Sequence, residues 1–123
     1  LFRSLEQMCR ASGVEHVQVV DTWNRKQVLG SIRKALAHEG PSVVISQGPC
    51  VRLPEMKQRE LIPYFVDEEL CTQCDACFKV WCPAITRTEA GFPIIDAADC
   101  TSCTVCAQVC PTTAIYPFAV EAL

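Results

Sequence analysis

Nothing in these 123 residues reaches a run of about 18 uncharged apolar positions, so no segment reads as membrane-spanning. The opening, Leu1-Phe2-Arg3-Ser4-Leu5-Glu6, lacks an initiator methionine and the basic-then-apolar order of an export signal. A chain that starts mid-helix is expected to be a piece of something longer. Glycine is scarce: five residues, at 13, 30, 40, 48 and 91, build no Gly-rich phosphate loop. There is no Ser-His-Asp order and no cluster of paired carboxylates. His16 and His38 fall in separate elements with no acid or nucleophile beside them, so no catalytic residue is nominated. Basic residues are rare in the second half. Residues 64–123 hold two Lys/Arg (Lys79 and Arg87) against eight Asp/Glu, a balance of -6, whereas residues 1–63 hold nine against six, or +3. Such asymmetry marks two units with different jobs, and the acidic one argues against a nucleic-acid partner, which demands a basic face.

What the chain has in excess is cysteine. Ten occur, and eight of them fall in two tight groups. In a secreted protein this density would suggest disulfides; without an export signal, and with ligand-like spacing, it points to metal thiolates in a reducing, cytoplasmic setting. From Cys71 the chain reads Cys-Thr-Gln-Cys-Asp-Ala-Cys-Phe-Lys-Val-Trp-Cys-Pro, and from Cys100 Cys-Thr-Ser-Cys-Thr-Val-Cys-Ala-Gln-Val-Cys-Pro. Each is soon followed by Ala-Ile, at 84–85 and 114–115. This is an internal repeat of about 29 residues, the mark of a pseudo-twofold domain made by duplication.

Three cysteines spaced by two residues let one loop wrap a cube of iron and sulfide, with backbone N–H groups directed at the sulfurs. The fourth iron takes its ligand from elsewhere, and in two-cluster ferredoxins that is the other motif's Cys-Pro. Cys71, Cys74, Cys77 and Cys110 are therefore expected to hold one [4Fe–4S] cluster, and Cys100, Cys103, Cys106 and Cys82 the other. Tetrahedral zinc would need only paired Cys-x-x-Cys and leaves the third cysteine, the Cys-Pro and the repeat without a reason. Asp75 lies between two ligands, but with Cys74 present it reads as a solvated loop carboxylate. The first motif has four residues before its Cys-Pro where the second has three. The extra residue must bulge near the second cluster, and Trp81 there reads as core packing.

Upstream, residues 1–12 place Leu1, Leu5, Met8 and Cys9 on one helical face, and Gly13 ends the helix. Val14–Val20 is β-branched and reads as a strand. Asp21, Thr22 and Asn24 offer N-cap oxygens to a helix running to about His38, with Val28, Leu29, Ile32 and Leu36 on its buried stripe. Gly40-Pro41 stops it, and Val43-Val44-Ile45 reads as a buried parallel strand. Two parallel strands joined by a right-handed crossover cannot cover both faces of a sheet, so this half should need more sheet from outside; a small helical cap is the alternative. From Gly48 to Pro63 the periodicity breaks, and three prolines and five charges suggest a linker or an embracing arm. Tyr64–Asp67 then leads as a strand into the first motif. The fold class expected is α+β: an incomplete α/β (βαβ) segment over 1–49, a linker over 50–63, and a 2[4Fe–4S] bacterial-ferredoxin-like domain with a pseudo-twofold repeat over 64–123.

Tyr64 to Ile85, with its longer Cys-Pro spacing, and Cys100 to Ile115 resemble the C-terminal ferredoxin domain of the indolepyruvate:ferredoxin oxidoreductase α subunit. Val17-Gln18-Val19-Val20-Asp21, the helix after it, Gly40 to Ser46 and Pro49-Cys50 look like the end of that subunit's thiamine-diphosphate-binding domain. The resemblance implies a parent enzyme that oxidatively decarboxylates an arylpyruvate with coenzyme A, with the two clusters carrying electrons away singly. It also implies as partners the upstream thiamine domain, a second subunit and an external ferredoxin. The family's thiamine motif, Gly-Asp-Gly followed by Asn-Asn, is absent from this sequence, so thiamine diphosphate is expected only in the missing part of the parent.

Cys9 reads as a small buried hydrophobe and Cys50 as packing at the end of a strand. Asp67, Glu68 and Glu69 read as a solvated acidic rim, able with Asp75, Asp96 and Asp99 to steer a basic partner. Two other functional readings stand beside the oxidoreductase segment: a self-contained ferredoxin-like adaptor for another reductase, and a zinc-stabilised interaction module.

Overall fold

The structure is a computed structural model and describes residues 4–50, 53, 55 and 61–118. The chain divides into two compact units, Leu1–Cys50 and Val51–Leu123, both mixing helix and strand. Among the described residues no helix is long and apolar enough to cross a membrane.

In the first unit, α1 (Leu5–Ala11) starts where Ser4 Oγ accepts from the Gln7 backbone N–H at 3.2 Å. Strand β1 (His16–Asp21) pairs in parallel with β2 (Ser42–Gln47), Val17 opposite Val43 and Val19 opposite Ile45. Helix α2 (Arg25–Ala37) connects them, and Asn24 caps it as expected, its Oδ1 accepting from Gln27 N at 3.0 Å. The stripe expected to be buried on α2 is a correction. Only Ser31 of this helix is buried, while Ile32 is 42% and Leu36 82% exposed. Two strands make a narrow floor, and a helix lying on it covers one edge of its apolar stripe, not the whole. The expected packing of Cys50 is also corrected, since its side chain is exposed; Cys9 is half-buried. His16 and His38, distant in sequence, stack at 4.6 Å between ring centroids.

The predicted linker over 50–63 lies largely outside the described residues. Its last positions are tied to the second unit: Ser102 Oγ donates to Ile62 O at 2.6 Å, and Phe118 N to Pro63 O at 2.9 Å.

The second unit contains two small antiparallel ribbons. Strand β3 (Tyr64–Val66) pairs with β6 (Ile115–Pro117), and β4 (Ile85–Arg87) with β5 (Pro93–Ile95). The strand entering the first cysteine motif thus pairs with the one leaving the second, and the reverse. Hydrogen bonds repeat across the two halves. Asp67 N donates to Ala114 O and Asp96 N to Ala84 O, each at 2.8 Å; Cys71 N donates to Asp67 O and Cys100 N to Asp96 O, each at 3.0 Å. Ala84 and Ala114 are each 1% exposed, leaving no room for a larger side chain where the halves cross. Cys77, Ile85 and Ile115 form the buried centre, with Val66, Phe78, Ile95 and Cys106 packed against it.

The β4–β5 hairpin closes through Gly91 at φ +87°, a left-handed turn that favours glycine. Arg87 braces it from three sides: Nη1 donates to Gly91 O at 2.9 Å, Nη2 meets Asp75 Oδ1 at 2.8 Å, and the guanidinium lies 4.3 Å from the Phe78 ring centroid. Asp75 is therefore ion-paired, not a merely solvated loop carboxylate.

Asp67 departs from a simple solvated rim as well. Its Oδ1 accepts from Glu69 N at 2.9 Å and its Oδ2 from the Tyr116 hydroxyl at 2.8 Å. The Tyr116 bond holds the Asp67 carboxyl below its ordinary 3.8, and Asp67 holds the Tyr116 phenol above its ordinary 10.0. The ionised Asp67 contributes stability that is present above 3.8 and lost as pH falls through its lower folded value. The neutral Tyr116 contributes stability that is complete below 10.0 and lost as pH rises through its raised folded value. Tyr116→Phe is thus expected to lower the thermal midpoint at neutral pH, and that gap is expected to close as pH rises above 10.0 through the raised value of the wild-type phenol. A gap unchanged across that alkaline range would show that the hydroxyl's bond carries no linkage.

Candidate metal centre

Each cysteine motif begins at the end of a ribbon strand and turns through left-handed backbone. Gln73 (φ 52°) and Asp75 (φ 60°) adopt it in the first, Ser102 (φ 55°) and Thr104 (φ 68°) at the matching places in the second. These residues alternate with the cysteines. Left-handed backbone in such a run aims successive N–H groups to one side, the arrangement that makes an anion-binding nest. Gln73 N lies 3.5 Å from Cys71 Sγ. Cys110 Sγ lies 3.6 Å from Thr112 Oγ1. No sequence pattern pointed to these left-handed positions, because none is a glycine. Their signal was the repeat itself, which places the four non-ligand residues at matching offsets.

The structure brings Cys71, Cys74, Cys77 and Cys110 into the wall of one cavity, together with Val66, Ala76 and Ile115. Cys110 belongs to the other motif and reaches this cavity because β6 pairs with β3. In the second set, the Cys106 thiol is pushed up to about 11, first by burial and then by the nearby Cys103, Cys100 and Cys82. Cys82 of the first motif is therefore within electrostatic reach of the second motif's thiols. Burial also raises Cys77, with Cys71 and Cys74 adding to it. Burial acts on Cys110 as well, but the Thr112 hydroxyl and the backbone N–H groups of Thr112, Ala114 and Ile115 outweigh it and bring that thiol down. A partly buried thiol near 11 keeps its proton at neutral pH, and a metal bound there would displace it.

Among the described residues no three His, Cys, Asp or Glu side chains converge as they do round a single metal ion. A cube is larger than an ion and takes each thiolate at its own iron. The donor set suits that demand: four cysteine sulfurs line one cavity, and backbone N–H groups bond to Cys71, Cys77 and Cys110.

The two motifs close differently. In the second, α3 (Val105–Val109) runs directly into Cys110. In the first, a 3-10 turn (Phe78–Val80) is followed by Trp81 in left-handed conformation (φ 56°), and only then by Cys82. The extra residue is accommodated there, as the spacing predicts. Its side chain is another matter. Trp81 is 90% exposed and does not pack in the core. Trp81 caps the 3-10 turn on left-handed backbone, and its ring lies outside the core.

Residues 93–116 match the family model of the 4Fe-4S binding domain. The chain is 44% identical over 115 residues to the indolepyruvate oxidoreductase subunit IorA of Methanothermobacter marburgensis, covering 93% of this chain and 18% of that protein. It is 40% identical to IorA of Methanothermobacter thermautotrophicus, with the same coverage. Against IorA of Archaeoglobus fulgidus it is 37% identical, over 92% of this chain and 18% of the relative. The chain thus spans about a fifth of the length of these relatives.

Proposed function

We propose, for a chain that belongs to the ferredoxin region of the IorA indolepyruvate oxidoreductase subunits, that it carries electrons one at a time through two [4Fe–4S] clusters. Cys71, Cys74, Cys77 and Cys110 would hold one cluster, and Cys100, Cys103, Cys106 and Cys82 the other. The observation that carries this reading is the shared cavity wall, in which a cysteine from the second motif joins three from the first. The exchanged strand pairing and the doubled hydrogen bonds of Asp67 and Asp96 support a pseudo-twofold domain. The parallel β1–β2 pair joined through α2 supports reading residues 1–49 as a βαβ piece of a larger α/β domain.

When bound, the clusters supply one-electron redox chemistry at low potential. The residues of the chain supply the rest. The left-handed Gln73 directs its N–H at Cys71 Sγ, a contact that moderates the charge on sulfur. Ile85, Ile115 and Val66 pack round Cys77 and keep water from that thiol. The small crossed core holds both sets of ligands in one rigid body, keeping the distance between them short. The carbon chemistry belongs to the remainder of the protein, where we place thiamine diphosphate, with a 2-oxoacid of the indolepyruvate type as substrate and a ferredoxin as acceptor.

Anaerobic analysis of iron and acid-labile sulfide tests this, together with an EPR spectrum after dithionite reduction. About eight of each per chain with a spin-coupled reduced signal is the expected result. Stoichiometric zinc without sulfide would leave a structural module and remove electron transfer.

A further inference from the structure

Beside Cys82 the surface of the second unit opens into a groove of about 520 Å³, lined by Phe78, Lys79, Trp81, Cys82, Pro83 and Ile85, with Asp75 also in its wall. The second motif closes on its Cys-Pro with one residue fewer, so the inserted residue is not required for ligation. What the insertion produces is an indole 90% exposed to water, one residue before a ligand. Two unfavourable features meet at this residue: a large apolar ring left in water, and a bulky side chain on left-handed backbone. Both are offset when another surface covers the ring, since tryptophan has among the largest burial gains of any side chain.

Charge identifies that surface. Lys79 and Arg87 are the only Lys or Arg in residues 64–123, against eight Asp/Glu, and both belong to this place. Arg87 sits on the Phe78 ring and is matched by Asp75. Lys79 is exposed and makes no salt bridge among the described residues. An anionic protein approaching this acidic unit is repelled by most of it and attracted here, which fixes its orientation as well as its position.

We propose that the Trp81 groove is the docking surface for an acidic one-electron carrier protein, which covers the indole with an apolar spot and sets a carboxylate against Lys79. The proposal rests on the electron-transfer reading above and extends it by naming where the electron leaves. One electron passes out beside Cys82 and reduces the oxidised centre of the carrier by one; no bond forms or breaks and no proton is transferred. The patch is small, at the low end of interface sizes, which suits a carrier that must leave after each electron.

The test uses the complete purified protein with its iron content measured, titrated with a bacterial-type ferredoxin of net negative charge. Binding is followed by calorimetry at low and high salt, and reduction of methyl viologen serves as a docking-independent control. Trp81→Ala is expected to raise Kd about tenfold or more, equivalent to about 1.4 kcal/mol, with iron content and viologen reduction unchanged. Lys79→Glu is expected to do the same at low salt, with its effect shrinking at high salt. If Trp81→Ala instead loses iron, the ring supports the cluster, and Lys79→Glu, whose side chain is exposed, decides the matter. An unchanged Kd for Lys79→Glu at low salt overturns the proposal. Absence of iron from the wild-type protein removes the electron-transfer reading itself, and the docking surface with it, before any titration is made.

Discussion

Cys82→Ala is expected to abolish the cluster held by Cys100, Cys103 and Cys106 while sparing the one held by its own motif. The variant should retain about four of about eight irons and lose the spin coupling of the reduced signal, leaving the spectrum of an isolated cube. The expectation follows from strand pairing. Cys82 leads through Ala84 into β4, which pairs with β5, the strand that feeds the second motif. Asp96 N binds Ala84 O at 2.8 Å and so anchors the Cys82 loop beside Cys100. The companion variant, Cys110→Ala, should strip the cluster of Cys71, Cys74 and Cys77, whose cavity Cys110 helps line. Loss of the first cluster on mutating Cys82 would mean that each motif serves itself and that the crossed assignment is wrong. Full retention of both clusters would mean that another group supplies the fourth ligand.

Ile115→Ala is expected to lower stability by about 2–5 kcal/mol, read as a fall in the thermal unfolding midpoint. Ile115 is 5% exposed and touches both kinds of structure in this unit. It pairs with Val66 across the β3–β6 ribbon and lines the cavity of the first cysteine set. Truncation removes apolar contacts and leaves a void beside the thiols that water can enter. Iron loss from the first set in air should therefore accelerate more than from the second, a difference that EPR resolves over time. Equal loss from both would mean that Ile115 acts only through global stability. Ile85→Ala gives the matched comparison, because Ile85 occupies the corresponding place after the first Cys-Pro and is 8% exposed.

Sequence reading succeeded where the relevant physics is local. Asn24 was one of three candidate caps, and it is the one that accepts the Gln27 N–H. The strands at 16–21, 42–47 and 64–66 lie where β-branched and aromatic runs predicted them. The extra residue before Cys82 was legible from counting alone, as was a bulge at that point. Reading failed where a partner layer decides the outcome. Periodicity placed Ile32 and Leu36 on the apolar stripe of α2, but a stripe records which face can be buried, not how much sheet lies beneath it. The same limit applies to Trp81. Residue type argued for the interior, but the ring lies outside, at the end of the 3-10 turn that takes up the extra residue.

The sequence by itself was enough to nominate the ligands. Three cysteines at two-residue intervals, a Cys-Pro and their repetition are covalent facts, and the reach of a short loop makes them sufficient to nominate eight thiolates. Tertiary structure alone decided which distant groups meet. Tyr116 finds Asp67 across 49 residues, Arg87 finds Asp75 across 12, and Cys110 reaches the cavity of Cys71 through the β3–β6 pair. The reason is physical. Spacing along a chain constrains neighbours through bond geometry, whereas contacts between remote residues depend on how strands pair and layers pack, and composition leaves many such arrangements open.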